Sequence, residues 1–281
     1  MILADSQRFV PGDVVVRRAS LAVRPIDGGR PTPTPVVDGV EATAFPYGSP
    51  AFARTANSGR GNGVIGFTAL PGLMLYERGD GARAEWLGPN PTKLQVRFVV
   101  IVSDRLGRYQ SSTDLIDVPV GQVIDVPMFP GPDAASWAPG TVRLVAQVVR
   151  RVGGAAVPGA VVEASTPGGV LARGVTDGRG AVALAVIAAP VPGEPIDAVG
   201  GASFPVDIVV RAAAIAPDTT VALGVTYPAP WRILLRQPPA TVNDLGTPVT
   251  TLRRTVTGPA PFVLSSSSAV GTAGQLEIDP V

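Results

Sequence analysis

Residues Thr141–Arg150 read TVRLVAQVVR, and this run decides the fold class. Val142, Leu144, Ala146 and Val148 alternate with Arg143, Val145, Gln147 and Val149. Alternation at period two is the mark of a strand with one face toward a core. The same habit extends outward in both directions. Upstream stand DVVVRRASLAV (13–23), GVIGFTAL (63–70) and LQVRFVVIV (94–102). Downstream stand AVVEA (160–164), the runs 170–176 and 181–188, and PVDIVVRA (205–212), whose Val206, Ile208 and Val210 share a face. Gly, Pro and Asp punctuate every gap. No apolar i, i+3, i+4, i+7 pattern survives three turns, because Pro and Gly recur too often for a helix to continue. Short β-rich runs at this spacing predict an all-β chain built of sandwiches.

Composition then removes whole classes of chemistry. The chain has 281 residues, with no Cys and no His. A thiol nucleophile, a disulfide, a Cys/His zinc site and a histidine base are therefore excluded within it. Lys+Arg is 23 against 22 Asp+Glu, a net charge of +1. That balance argues against nucleic acid as a partner, since phosphate binding needs clustered cations. The longest apolar stretch, Ala181–Pro192, is shorter than the roughly 18–20 residues of a membrane helix. MILADSQRFVPGD (1–13) lacks the basic region and apolar core of a secretory signal. The expectation is a chain with no cofactor, no membrane insertion and no secretion signal.

The runs fall into two blocks. An N-terminal arm is expected at 1–13 and a first sandwich at 14–127, with a Pro/Gly-rich insert at about 27–62. A proline-rich linker is expected at 128–139, reading MFPGPDAASWAP, with Trp137 packed onto a domain face. The second sandwich is expected at 140–237. Beyond it, residues 238–281 look too thin in apolar side chains for a further core. They are expected to form an extended C-terminal arm ending in a Ser/Gly/Ala stretch. Trp231, in YPAPWRILL, is expected to anchor the last strand of the second block.

AAVPGAVVE (155–163) and VTDGRGAVA (175–183) resemble the carboxypeptidase-regulatory-like, or transthyretin-like, β-sandwich. Pro158–Gly159 is expected to start a strand after a tight turn, and Asp177–Gly180 to form a hairpin turn between core strands. Over a longer span, GVIGFTALPGL (63–73), FVVIVSDRLGRY (98–109), these two motifs and LLRQPPATV (234–242) keep one order. That order is similar to structural proteins of phage-tail-like contractile injection systems and contractile phage tails. The resemblance implies a non-enzymatic structural component. Its partners would be other subunits of a symmetric particle, copies of itself among them. Its location would be a virion or injection particle assembled in the bacterial cytoplasm. It supplies no catalytic residues.

Several side chains invite a sharper reading. Tyr76 and Trp86 flank Glu77, Asp80 and Glu85 in YERGDGARAEW, and a sugar could stack there beside a carboxylate pair. The plainer reading is a charged hairpin tip. Asp104, Asp114 and Asp117 could ligate calcium, but no DxDxDG loop surrounds them, and solvated turn acids serve as well. GRGNG (59–63) lacks the Lys-Ser/Thr of a phosphate loop. The pairs Arg17–Arg18, Arg150–Arg151 and Arg253–Arg254 project to opposite sides of a strand. They are candidates for interface ion pairs or for charged strand edges. A surface module that recognises glycan or protein is the alternative to the assembly reading.

Overall fold

The computed structural model describes residues 21–57, 63–67, 70, 96–118, 123–134, 141–187, 203–217, 220–222, 225–227, 229–257, 262–266 and 274–281. The fold is all-β, with two sandwiches in tandem.

The first sandwich holds β1 (Leu21–Asp27), β2 (Val40–Pro46), β3 (Arg54–Asn57), β4 (Ile65–Phe67), β5 (Val96–Asp104), β6 (Ser112–Val118) and β7 (Val123–Met128). One sheet runs β4-β1-β7, with β1 and β7 parallel, and the other runs β3-β2-β5-β6, all antiparallel. Leu21, Val23, Phe98, Val100, Val102, Val126 and Met128 fill the core between them. The insert expected at 27–62 is not a bare loop. It supplies β2, which sits inside its sheet between β3 and β5. Pro and Thr neighbours mask the strand VEATAFP in the sequence, although Ala42 and Ala44 alternate inward.

β5 is buried on both faces. Phe98 and Val100 face the core, while Val99 and Ile101 join Phe45 in a second apolar cluster on the sheet's outer side. A sheet with two apolar faces must be covered twice.

The second sandwich begins with β8 (Thr141–Arg150), β9 (Val161–Thr166), β10 (Gly169–Val175), β11 (Ala181–Ile187) and β12 (Ser203–Arg211). After an excursion it continues with β15 (Thr241–Asp244), β16 (Thr247–Val249), β17 (Leu252–Thr257), β18 (Phe262–Val263) and β19 (Gln275–Asp279). The excursion carries the hairpin β13 (Thr220–Ala222) and β14 (Val225–Tyr227) and one helical turn, α1 (Trp231–Leu234). One sheet is β10-β9-β12-β17, and the other is β11-β8-β19-β15-β16 with β18 also on β8. The alternating residues of β8 and β12 enter the core as their spacing requires.

Two expectations need correction here. The described residues of 238–281 are not an extended arm. β17 completes one sheet, and β19 lies between β8 and β15 in the other, burying Leu276 and Ile278 completely. Few apolar residues suffice because each strand adds one or two side chains to a core the other strands have built. The turn Asp177–Gly180 is not a hairpin. It crosses from β10 in one sheet to β11 in the other. The Asp177 carboxylate accepts the N–H groups of Arg179 and Ala181, at 2.8 and 2.9 Å, and so fixes the crossing. Gly180 has φ +75°, and a Cβ there would meet the Val148 carbonyl at 2.5 Å. Beside it, the buried Thr176 hydroxyl donates to Val157 O at 2.6 Å and accepts Ala160 N–H at 2.8 Å. That pins the Pro158–Gly159 turn to the crossing.

Candidate functional site at the domain junction

The excursion between β12 and β15 is a strap that leaves the second sandwich and lies on the first. Its base is closed by Ala212 N–H to Pro238 O at 3.1 Å and Ala240 N–H to Val210 O at 2.8 Å. Gln237 locks the base from inside. Its Oε1 accepts Ala213 N–H at 2.9 Å, and its Nε2 donates to Gly159 O at 2.7 Å. Further out, Tyr227 packs against Phe45, Val99 and Ile101, so the strap provides part of the cover β5 needs. Pro230 makes a parallel β-bridge with Thr113 of β6. A proline suits the spot, because it offers a carbonyl and no unpaired N–H.

Trp231 follows, and it is not the strand anchor expected. It is half-buried and touches both the first sandwich's core and a junction cluster of Phe129, Val161, Val175, Ala229 and Leu234. Val161 can take part because it points away from its own core, opposite to Val162 and Ala164.

At the centre of the contact Asp114 on β6 is fully buried. Arg232 Nε of the strap lies 3.1 and 3.2 Å from its two oxygens, and Leu115 N–H is 2.9 Å from Oδ1. The Arg232 guanidinium also stacks over the Trp231 ring at 4.5 Å. Burial pushes the Asp114 carboxyl above the usual carboxylate range, and Arg232 only partly offsets this. The Trp231 indole N–H acts on the same carboxylate without forming a well-aligned hydrogen bond. Ser112 Oγ and Thr113 Oγ1, buried beside it, have no partner among the described residues. Ser112 shares the core face of β6 with Asp114, and Thr113, which bridges Pro230, lies on the opposite face.

Two further bonds tie the bodies together. Arg173 N–H on the outer edge of β10 donates to Gly29 O at 2.9 Å, and Gln110 Nε2 donates to Val175 O at 2.7 Å. Residues 129–131 of the expected linker are held to the first sandwich by Gln110 N–H to Phe129 O and Gly131 N–H to Arg108 O, both 2.9 Å. Asp27, also buried, accepts Gly29 N–H at 3.0 Å and the Tyr109 hydroxyl at 3.3 Å. Burial, and then the negative charge of Asp27, push the Tyr109 phenol up to about 12.

Between the bodies lies a groove of about 480 Å³. Its walls include Pro31, Pro33, Phe129, Val170 and Trp231, with Arg30 from the first sandwich and Arg173 from the second. Arg30 Nε is 2.9 Å from Asp27 Oδ2, off the line of a good hydrogen bond. Arg173 Nε bonds Glu163 Oε1 at 2.7 Å, and Arg211 Nε takes the other oxygen at 3.0 Å. These two arginines hold the Glu163 carboxyl below its ordinary value against the opposing effect of burial.

The residues singled out from sequence are placed as follows. Tyr76, Trp86, Glu77, Asp80, Glu85, Trp137, Arg17, Arg18 and the arm 1–13 lie outside the described residues. Arg150 donates to Ala214 O, and Arg151 pairs with Asp279. Arg253 pairs with Asp207, and Arg254 with Asp244 and Ser265 O. All four are engaged within the chain. The three acids considered for calcium are not brought together on one cation. Asp104 binds Arg108 and three backbone N–H groups, Asp114 binds Arg232, and Asp117 binds Arg97.

No family model matches this chain, and no curated protein does. Among solved structures it is similar to the shaft pilin SpaA from Lactobacillus rhamnosus GG, at 9% identity and a TM-score of 0.24, over 75% of this chain and 94% of that one. A single-residue mutant of that pilin gives 10% identity and a TM-score of 0.23 over the same shares. A likeness of this size carries no argument about function.

Sequence reading misses the residues that make the junction. Arg232 stands beside Trp231 in YPAPWRILL, a run too proline-rich for a strand and too short for a helix. An apolar run of that kind between strands is the available signal for a strap. Arg30, Arg173 and Gln237 carry none.

Proposed function

We propose that this chain is a non-enzymatic structural subunit of a phage-tail-like contractile injection particle or contractile phage tail, assembled in the bacterial cytoplasm. It would act as a spacer of fixed geometry that contacts neighbouring subunits through its β-sheets, at a baseplate, collar or cap. One observation carries the reading. The two sandwiches are clasped by a strap whose half-exposed Arg232 pairs with the buried Asp114, by two interdomain hydrogen bonds and by a shared apolar cluster. Sandwiches joined by a linker alone move relative to one another by default. A junction built like this one would fix the spacing of the two bodies. Most of the described acids, Asp38 and Glu277 excepted, pair with arginines, and this supports the same view, because a carboxylate held by a guanidinium is poorly suited to take a proton.

The test is sedimentation of a native lysate with mass spectrometry of the heavy fraction. The chain is expected beside sheath and tube proteins, in a fixed symmetric number, and it should survive a salt wash. Recovery only as a light monomer overturns the reading.

A further inference from the structure

We propose that the groove between the sandwiches is a binding site for an extended peptide segment carrying one carboxylate side chain between apolar residues, with Arg30 and Arg173 holding the carboxylate. The proposal is independent of the particle reading.

Charge argues for the anion. Around the groove stand Arg24, Arg30, Arg173 and Arg211 against Asp27, Asp125 and Glu163, leaving one positive charge uncompensated. Asp125 is the acid in the wall, and both its oxygens are taken by Arg24, at 2.7 and 3.0 Å. Arg30 and Arg173 are each about one-third exposed; Arg173 is hydrogen-bonded through its inner nitrogen to Glu163, which stiffens the stem, and Arg30 lies in ionic contact with Asp27. A guanidinium fixed in this way presents its outer N–H groups as a fork that matches a carboxylate.

The walls argue for a peptide over a small anion. A volume of about 480 Å³ falls in the range of sites that enclose organic ligands, and such sites favour domain interfaces. Phe129, Trp231 and the prolines give the apolar surface a bare anion would not use. An extended backbone fits because β10 is an edge strand whose outer side already accepts a backbone partner, Gly29, at Arg173. Residues 169–170 of the same strand are exposed, and Val170 lines the groove. A segment lying there would continue the pairing that Gly29 begins.

The test uses fluorescein-labelled pentapeptides of the form Val-Pro-Glu-Val-Pro and a matched peptide with Gln for Glu, read by anisotropy on the full chain. The Glu peptide is expected to bind at least about 10-fold tighter than the Gln peptide, the worth of a charge-assisted pair. Arg173→Gln and Arg30→Gln are expected to abolish that preference, and Arg97→Gln, which removes an equal charge elsewhere, to keep it. Because the Glu/Gln comparison leaves the protein unaltered, it stands even if an arginine variant folds poorly. Equal binding of the two peptides, no binding at about 5 mM, or equal loss in Arg97→Gln overturns the proposal. Competition by acetate as strong as by the unlabelled peptide would show that the apolar walls contribute nothing, and it overturns the peptide assignment.

Discussion

Replacing Arg232 by Ala removes the cation from a carboxylate that has no access to water. Asp114 is fully buried, while the Arg232 side chain is 49% exposed, so the pair lies between the surface and interior limits. Breaking a fully buried pair costs about 3–5 kcal/mol and an exposed one about 0–1. We expect about 2–3 kcal/mol at neutral pH for Arg232→Ala. The lost stacking on Trp231 is part of that loss, at about 0.5–1 kcal/mol. The pH dependence identifies the cause. Burial raises the Asp114 carboxyl above its unfolded value, and removal of Arg232, which pulls it down, raises it further. A folded state with a raised carboxyl binds the proton more tightly than the unfolded chain. Its contribution is therefore greatest at low pH and is lost as pH rises through the folded value. The Arg232→Ala deficit should thus shrink on acidification from the raised value toward the ordinary carboxylate range, leaving only the stacking loss. Asp114→Asn keeps an acceptor for Leu115 N–H and buries no charge, so it should cost less than Arg232→Ala. The double variant should recover part of the single variant's loss. Urea unfolding followed by tryptophan fluorescence, over a pH series from neutral down to the ordinary carboxylate range, reads all of this. A deficit that stays constant over the whole series, or a costlier Asp114→Asn, would falsify the account of a charge stranded under the strap.

The remaining predictions concern elements that hold the sandwiches. Gly180→Ala forces a side chain onto φ +75° and against the Val148 carbonyl. It should cost at least about 2 kcal/mol in thermal unfolding, while Gly178→Ala, with open space around it, should change little. Thr176→Val strands Ala160 N–H and Val157 O and should cost about 1–3 kcal/mol, with Thr176→Ser largely restoring stability. Deleting 275–281 removes a strand from inside a sheet together with Leu276 and Ile278, each worth about 1.5–3 kcal/mol by burial alone. Circular dichroism should then show an unfolded second sandwich, whereas a dispensable arm would leave the spectrum intact. Asp104 and Glu163 are held below their ordinary values, so their stabilisation is present above the unfolded carboxylate range and lost as pH falls through the folded values. Asp104→Asn should therefore flatten the acid limb of a stability-versus-pH curve, opposite in sign to the Asp114 effect.

How far the sequence can be read follows from how local each signal is. β8 and β12 are legible because each strand carries its own alternation, and one buried face dictates one register. β2 and β19 are not, since VEATAFP turns only Val40 and two alanines to the core between the sheets, QLEID buries only Leu276 and Ile278, and both strands owe their place to neighbours distant in the chain. The turn at Asp177 announces itself by its Asx chemistry, but the same local bonds serve a hairpin and a crossing. Only the partner of β11 distinguishes the two, and that partner is β8, which lies upstream of both β9 and β10. The junction is the least legible. Its bonds join β6 to the strap and β10 to the 27–30 turn, so no window of sequence contains both ends.

That non-locality bears on what the junction is for. An isolated glycan- or protein-binding module needs a stable surface and tolerates free motion between its domains. Here the strap packs Tyr227 and Trp231 on the apolar clusters of the first sandwich and brings Arg232 to a charge buried there. Burying Asp114 opposes folding, and a hydrophobic side chain at that position would be cheaper. A costly ion pair at a domain contact is best explained by register, since Arg232 meets Asp114 in only one seating of the strap. A protein whose two bodies must be presented to neighbours at one angle would benefit from that constraint. The prediction is that Asp114→Leu with Arg232→Leu holds or raises thermal stability while loosening the angle between sandwiches, measured as a broadened distance distribution between spin labels on Ser165→Cys and Thr55→Cys. A distribution as narrow as that of the parent would remove register as the reason for the buried pair.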